Sequence, residues 1–308
     1  MKKIKVIALM GLLFIFAGVA LERKEMIISY VNYFSGLLGN NKLEVRNDYT
    51  RDIDFTYVKR TTNFHPKNYQ DILNIYYSAL NNGLEEFTFQ CDASYTNCLD
   101  EVDSLANSQE KLSDINNYVH PFNSFKHIET TYNSLGSVTI SIVRAYTPEE
   151  ISLLNKAVDE IYTKVVNENA TVQENIKSVH DYIINYTKYD KSRKDGESEY
   201  RSDTAYGALY QGYAVCGGYA DTMSLFLNKM NIPNFKASSD MHVWNVVNIN
   251  GQWLNLDLTW DDPVTVGIPD LNLLEHSFFM ISTKELLNYN TGEHVFDQNI
   301  YRELKIEG

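Results

Sequence analysis

The sequence predicts an α+β protein with antiparallel sheets. Segments with apolar residues at helical spacing come in runs, as in TPEEISLLNKAVDEIYTKVV from Thr147. Strand-like segments come in neighbouring pairs joined by short turns, as in HIETTYNSLGSVTISIVRAY around Asn133 to Gly136. Grouped helices and hairpins, without strict alternation, are typical of the α+β class. The chain has 308 residues, which is enough for two domains with cores of their own.

The charge of the chain excludes one class of partner. Lys and Arg number 27 against 40 Asp and Glu, which gives a net charge of −13. A surface of this sign repels phosphate backbones, so we expect no nucleic-acid partner.

The N-terminal segment MKKIKVIALMGLLFIFAGVAL has the layout of an export signal. A lysine-rich start precedes an apolar run from Val6 to Leu21, and Gly18 and Ala20 supply small residues before a cleavage site. The run is slightly shorter than the roughly 20 residues of a spanning helix. We therefore predict that residues 1–21 are a signal peptide or an N-terminal membrane anchor. The protein is then extracytoplasmic, either secreted or anchored to the membrane.

Residues 22–50 are mixed and polar and indicate a linker, and residues 51–146 indicate a smaller N-terminal α+β domain. In this domain DFTYVKRTTNF alternates like a strand, a helix follows between Pro66 and Gly83, and LEEFTFQC indicates another strand. Cys91 and Cys98 can form a disulfide in an oxidising compartment, although two unpaired cysteines remain the alternative. No cysteine pattern supports a structural zinc site, and no EF-hand spacing indicates calcium, so no cofactor or metal is expected.

Residues 147–290 indicate a second domain, followed by a C-terminal tail over residues 291–308. Thr147 and Glu150 have the spacing of a capping box at a helix start. His180 lies among isoleucines in the next predicted helix, where a histidine is usually structural. Asp261 and Asp262 indicate a turn before Pro263.

The segment HVWNVVNINGQWLNLDLTW predicts a hairpin, because Asn250-Gly251 favours a two-residue turn. With these residues in the turn, Ile249 pairs with Gln252. Side chains alternate faces, so His242 and Asp257 become diagonal neighbours on one face, about 7 to 8 Å apart at Cα. Trp244 shares that face and, with Trp260, walls the site or belongs to the core. The other face carries apolar residues: Val243, Val247, Leu254, Leu256 and Leu258.

Cys216 opens a predicted helix in CGGYADTMSLFL. A thiol at a helix N-terminus is favoured as thiolate by unpaired N–H groups and by the helix dipole. Gly217 and Gly218 would let a substrate backbone approach closely. The alternative is a buried, inert cysteine.

Together, AVCGGYA and HVWNVVNINGQWLNLDLTWDDP resemble the transglutaminase-like superfamily over about residues 147–285. The family pattern runs from Cys-x-Gly-Tyr-Ala through His-x-Trp-Asn to Asp-x-Thr-Trp. The resemblance implies a papain-like core in which the cysteine helix packs on an antiparallel sheet. It places the nucleophile on Cys216, the acid/base on His242 and the orienting carboxylate on Asp257. The unit at 51–146 resembles, much more loosely, the extracellular leader of some bacterial relatives.

The resemblance implies a cysteine-dependent acyltransferase or peptidase. Cys216 would attack a glutamine carboxamide or peptide carbonyl of a protein or cell-wall peptide, and the acyl-enzyme would pass to an amine or to water. The Cys216 N–H is the expected oxyanion donor, with Gln211 and Tyr206 as candidates for the second. The alternatives are a non-catalytic surface, scaffold or adhesion module of the same superfamily, and a binding module with an incidental cysteine.

Overall fold

The computed structural model describes residues 46–193, 196–263 and 273–306. The predicted signal or anchor at residues 1–21 lies outside the described residues, as does most of the predicted linker. Over the described ranges, none of the helices combines the length and apolar character that crossing a membrane requires.

The first part of the chain forms a three-stranded antiparallel sheet covered by helices. Its elements are α1 (Tyr69–Asn81), β1 (Glu86–Gln90), α2 (Cys98–Ala106), α3 (Gln109–Asn116), β2 (Phe125–Tyr132) and β3 (Ser137–Arg144). Strand β3 lies between β1 and β2. The predicted turn between β2 and β3 is confirmed, and Gly136 adopts the left-handed φ of 86° that the turn needs.

The strand predicted over residues 54–64 is wrong. Backbone N–H groups of this segment bind side chains instead of a neighbouring strand: Lys59 donates to Asn74 and Thr61 donates to Ser78, both on α1. The alternation in the sequence reflects which side chains are buried, since Phe55 and Phe64 are buried and Arg60 is exposed.

The second part of the chain holds a helical layer packed on a second antiparallel sheet. Its elements are α4 (Pro148–Val165), α5 (Val172–Tyr186), β4 (Lys188–Tyr189), β5 (Tyr213–Ala214), α6 (Cys216–Lys229), β6 (Asn234–Ser238), β7 (Val243–Ile249), β8 (Gln252–Leu256) and α7 (Thr283–Asn288). The capping box of Thr147 and Glu150 at the start of α4 is confirmed. A single π-helical turn, Gly207–Gln211, precedes β5, which pairs in parallel with the short β4.

The sheet of β6, β7 and β8 is covered on both faces. One face, with Val247, packs in an apolar cluster with residues of α5 and α6. The other face, with Phe235 and Val246, packs in a cluster that includes Phe55 and Tyr118 of the first part of the chain. We call this second cluster the inter-unit core. It contains residues from both sides of the predicted domain boundary at 146/147, and the boundary itself stays a prediction.

The predicted disulfide between Cys91 and Cys98 is confirmed, with a Cα–Cα distance of 5.8 Å. It joins the end of β1 to the first residue of α2. Cys216 therefore has no disulfide partner in the described structure.

Candidate active site

Cys216 is the first residue of α6, where the sequence predicts a helix start. Gly212 has a φ of 75°, which glycine adopts without strain, and it turns the chain from the π-helical turn into β5. Val215 then forms the N-cap without a side-chain hydrogen bond to the helix. The first N–H groups of α6 and the positive end of its dipole thus lie at the thiol, which is half-buried.

Gly217 and Gly218 face the protein's own backbone and not an open approach for substrate. A Cβ added at Gly218 would lie 2.3 Å from the carbonyl oxygen of Ser202, and one added at Gly217 would lie 3.0 Å from that of Asp203. Val215 N–H also donates to Ser202 O at 2.8 Å. The glycines therefore allow the preceding loop to pack closely against the start of α6, which corrects the interpretation that they make room for a substrate.

The predicted hairpin register is confirmed, from Ile249 opposite Gln252 to Asn245 opposite Leu256. The ladder ends there, because Asp257 N–H turns away to donate to Phe278 O at 3.1 Å. The diagonal pair forms nevertheless: His242 Nε2 donates to Asp257 Oδ2 at 2.6 Å, and both side chains are buried. On the opposite face Val247, Leu256 and Leu258 are buried in the cluster with α6, as predicted, and Leu254 packs against it. Val243, predicted for the same layer, is only half-buried and is not part of this cluster.

Burial lowers the pKa of His242, but the Asp257 carboxylate and hydrogen bonds to Asp257 and Cys216 outweigh it and raise this pKa to about 10. Burial raises the pKa of Asp257, but its contacts with His242 and His294 outweigh it and lower this pKa to about 2. At neutral pH the pair is therefore an imidazolium and a carboxylate. Because Asp257 holds Nε2, Nδ1 is the ring nitrogen left for the Cys216 thiol. The structure thus brings together the three residues predicted as a triad, Cys216, His242 and Asp257.

His294 is a residue of this site that the sequence did not indicate. Its Nε2 donates to the same Asp257 Oδ2 at 2.8 Å, and the Thr291 hydroxyl donates to its Nδ1 at 2.5 Å. The side chain is buried and stacks on Phe278. His294 lies within the segment predicted to be a tail, and no spacing pattern connects it to His242 or Asp257.

The two tryptophans have different positions. Trp244 is buried beneath His242, with ring centroids 5.8 Å apart, and its Nε1 donates to Asn255 at 2.9 Å. Trp260 is half-buried and donates to Glu293 Oε2 at 3.1 Å. Trp244 is therefore a core residue that supports His242, whereas Trp260 packs against His294 at the edge of the same apolar cluster, with ring centroids 5.1 Å apart.

The remaining candidates take part in local contacts. The Gln211 side-chain oxygen accepts the Arg201 N–H at 2.8 Å, and Tyr206 stacks on Tyr210 within the helical layer. Asp261 and Asp262, predicted as turn residues before Pro263, also accept hydrogen bonds from side chains. Asp261 accepts from His180, and Asp262 accepts from the Tyr219 hydroxyl.

Residues 159–258 match the transglutaminase-like superfamily. None of the curated proteins matches this chain. Among solved structures, the chain is similar to a TGase at 12% identity and a TM-score of 0.34, covering 48% of this chain and 47% of that one. It is also similar to a candidate cysteine protease from Cytophaga hutchinsonii at 14% identity and a TM-score of 0.28, covering 43% of this chain and 61% of that one.

The chain thus spans about half the length of the TGase. The family match covers less than half of the chain, but Cys216, His242 and Asp257 all lie inside it, whereas His294 lies outside. The protein therefore contains a transglutaminase-like domain, matched over residues 159–258.

Proposed function

We propose that this protein is an extracytoplasmic thiol acyl-transfer enzyme in which Cys216, His242 and Asp257 act as a triad. The observation that carries the proposal is the 2.6 Å hydrogen bond from His242 Nε2 to Asp257 Oδ2 on a histidine that also bonds to Cys216. A carboxylate on one nitrogen fixes the ring, so that the other nitrogen can exchange a proton with the thiol and the substrate.

The reaction follows from this order of groups. The Cys216 thiolate attacks the carbonyl carbon of a glutamine carboxamide or peptide bond, and the carbonyl oxygen becomes an oxyanion near the Cys216 N–H. The C–N bond breaks, and His242 gives its proton to the leaving amine. Water or a second amine then attacks the thioester carbon and gives a proton to His242, and the C–S bond breaks to release the Cys216 thiolate. Attack by water on the acyl-enzyme results in hydrolysis, and attack by an amine results in cross-linking.

The proposed substrates are proteins or cell-wall peptides outside the cytoplasm. The apolar segment at residues 1–21 supports this location, and the negative net charge of the chain disfavours nucleic acid. The half-buried Cys216 leaves the thiol within reach of an extended chain. A member of the superfamily that served only as a scaffold would not need a charged His242–Asp257 pair beside a free thiol.

The test measures the alkylation rate of Cys216 by iodoacetamide at pH 6. A free thiol with a pKa of about 8.5 is less than about 1% thiolate at this pH. We expect Cys216 to react at least about tenfold faster than glutathione, and His242→Ala to remove this difference. Labelling at the glutathione rate in the unmodified chain contradicts the proposal and favours the scaffold.

A second measurement separates hydrolysis from transfer. A glutamine-containing peptide is incubated with the protein and a labelled primary amine. Amine incorporation that Cys216→Ala abolishes indicates transfer, and Cys216-dependent cleavage without incorporation indicates hydrolysis. If Cys216 is alkylated rapidly but neither incorporation nor cleavage is seen, the proposed substrate classes are wrong and the activated thiol still stands.

A further inference from the structure

A second cluster of histidine and carboxylate side chains lies next to the candidate active site. It consists of His180 and Asp181 on α5 and of His276, which lies between β8 and α7. Asp181 Oδ1 lies 2.9 Å from His180 Nδ1 and 2.7 Å from His276 Nε2. His180 is fully buried, whereas Asp181 and His276 are each about one-third exposed, so solvent reaches the cluster from one side. We call it the α5 cluster.

A buried carboxylate orients the His180 ring. His180 Nε2 lies 3.1 Å from Asp261 Oδ2, and Asp261 is completely buried. Asp261 Oδ1 accepts the Phe278 N–H at 2.8 Å, which holds the carboxylate in place. His180 Nδ1, on the other side of the ring, faces Asp181 Oδ1 at 2.9 Å. A histidine held by a carboxylate at Nε2 presents Nδ1 as its remaining donor or ligand atom.

His276 adds a third potential metal ligand at the same point, with Nε2 2.7 Å from Asp181 Oδ1. The Lys177 ammonium lies 2.8 Å from His276 Nε2 and 3.0 Å from Asp181 Oδ2. His180 Nδ1, Asp181 Oδ1 and His276 Nε2 thus converge beside this ammonium, which supplies positive charge to the cluster. A divalent cation bound among the three atoms would take over that role.

We propose that the α5 cluster binds one divalent transition-metal ion through His180 Nδ1, Asp181 Oδ1 and His276 Nε2. These three atoms lie within 4.8 Å of one another. Metal–ligand bonds of about 2.1 Å place neighbouring ligand atoms about 3 to 3.4 Å apart. Asp181 Oδ1 lies 2.9 Å from His180 Nδ1 and 2.7 Å from His276 Nε2, so a small outward shift of these atoms would admit the ion. Imidazole and carboxylate donors suit zinc and its neighbours in the first transition row.

Other groups around the cluster fit the same assignment. A metal-binding histidine usually donates its second N–H to a carboxylate, as His180 does to Asp261. Lys177 is half-exposed, so its ammonium can leave His276 and keep its ion pair with Asp181 Oδ2. His276 lies 95 residues after Asp181 in the sequence, which is why no motif indicates the three residues as a set.

The experiment uses Zn²⁺ as the probe and the full chain carrying Cys216→Ala. This background removes the only described free thiol, which would otherwise bind zinc beside His242. Zinc binding is measured by equilibrium dialysis and by the shift in thermal midpoint. We expect one zinc per chain at the cluster, at least about tenfold weaker binding in His276→Gln and in Asp181→Asn, and tighter binding in Lys177→Met.

His65→Gln is the matched control, because His65 also contacts a carboxylate, Asp92, but as an exposed pair with no third donor. This variant should bind zinc like its parent. His276 is partly exposed, and His276→Gln without metal should unfold at nearly the parent midpoint. Absence of bound zinc, or equal zinc binding in the parent, His276→Gln and Asp181→Asn, would overturn the proposal. Because Cys216 is absent throughout, the outcome is independent of the acyl-transfer function.

Discussion

Asp257 accepts hydrogen bonds on both of its carboxylate oxygens. Oδ2 accepts from His242 and His294, and Oδ1 accepts the N–H groups of Thr259 at 2.9 Å and Trp260 at 3.3 Å. A buried carboxylate with this many donors remains ionised, because each donor stabilises the charged form. The charge of Asp257 in turn raises the pKa of His242, so the charge state of this histidine depends on groups that donate hydrogen bonds to Asp257 and not to His242 itself.

Asp257→Asn should destabilise the protein in a pH-dependent way. The pKa of His242 lies at about 10 in the fold against an ordinary 6.5, so stabilisation from the pair is complete below about pH 6.5 and is lost as pH rises through about 10. The pKa of Asp257 lies at about 2 against 3.8, so the stabilisation is also lost as pH falls below about 3.8 through about 2.

The cost of Asp257→Asn should therefore be greatest between about pH 4 and 6.5, at about 3 kcal/mol for a broken buried pair, and smaller at pH 10. Urea unfolding at pH 5 and pH 10 measures it. Glu168→Gln, at an exposed site, is the control that should show no such difference. An equal cost at both pH values would contradict the raised His242 pKa.

His294→Leu should slow alkylation of Cys216 about tenfold, the effect of about 1.4 kcal/mol from one lost buried donor. His294 lowers the pKa of Asp257. In His294→Leu, the fall of the alkylation rate at low pH should therefore begin at a higher pH. His294→Gln keeps a donor at nearly the same position and should restore both the rate and the pH at which it falls. If the alkylation rate of His294→Leu falls over the same acid pH range as in the parent, His294 only packs and does not position Asp257.

The site residues that the sequence predicted are marked by short sequence patterns, whereas the residue that it missed is not. Cys216 stands at a helix start that glycines mark, and the Asn250-Gly251 turn fixes the register that brings His242 to Asp257. His294 reaches Asp257 only because later segments pack back across the sheet. That packing depends on distant aromatic contacts such as Phe278, which leave no periodic pattern in the sequence.

Helix α6 is the element that positions the thiol, and its first turn is packed against the loop that precedes it. The carbonyl oxygen of Ser202 accepts a hydrogen bond from the Val215 N–H and also lies against Gly218. The loop and the helix start thus fit only if residue 218 has no Cβ. The Cys-Gly-Gly sequence is therefore required by packing within the chain.

Gly218→Ala should destabilise the protein by about 1 to 3 kcal/mol, because a Cβ 2.3 Å from a backbone oxygen forces the loop to move. Gly217→Ala is the paired variant, with a 3.0 Å contact, and should cost less. Denaturant unfolding measures both. Equal costs would contradict the view that the Ser202 contact sets the position of the helix start.

Among the elements, the hairpin was predictable and the segment at residues 54–64 was not. A two-residue turn fixes strand pairing through local backbone geometry alone. The 54–64 segment alternates like a strand, but its N–H groups bind side chains of α1. Alternation shows which side chains are buried, and it does not show what the backbone binds.

At the scale of the whole molecule, the inter-unit core joins the two parts of the chain. Phe235 on β6 contacts the rings of Tyr118 at 5.0 Å and Phe55 at 5.8 Å. Arg51, buried beside them, donates to the backbone carbonyls of Tyr118 and Asn234. The sheet that carries His242 therefore depends on the first part of the chain for one of its covered faces.

Phe235→Ala should destabilise the whole molecule by about 3 to 5 kcal/mol, as expected for a buried aromatic ring. The tryptophans lie only in the second part of the chain, so their fluorescence reports on that part, while far-ultraviolet circular dichroism reports on both. We expect the two signals to change together in one transition. Val143→Ala, at an exposed position of β3, is the control, and two separate transitions would contradict a shared core.

The contact between His294 and Asp257 has a consequence for how the protein is made. Synthesis proceeds from the N-terminus, so Cys216, His242 and Asp257 all leave the ribosome before His294 does. A nascent chain can therefore fold its thiol, imidazole and carboxylate while the donor that stabilises the carboxylate is still absent. The hydrogen bonds of the Asp257 carboxylate are thus complete only once the segment that carries His294 has been made and has packed against the sheet.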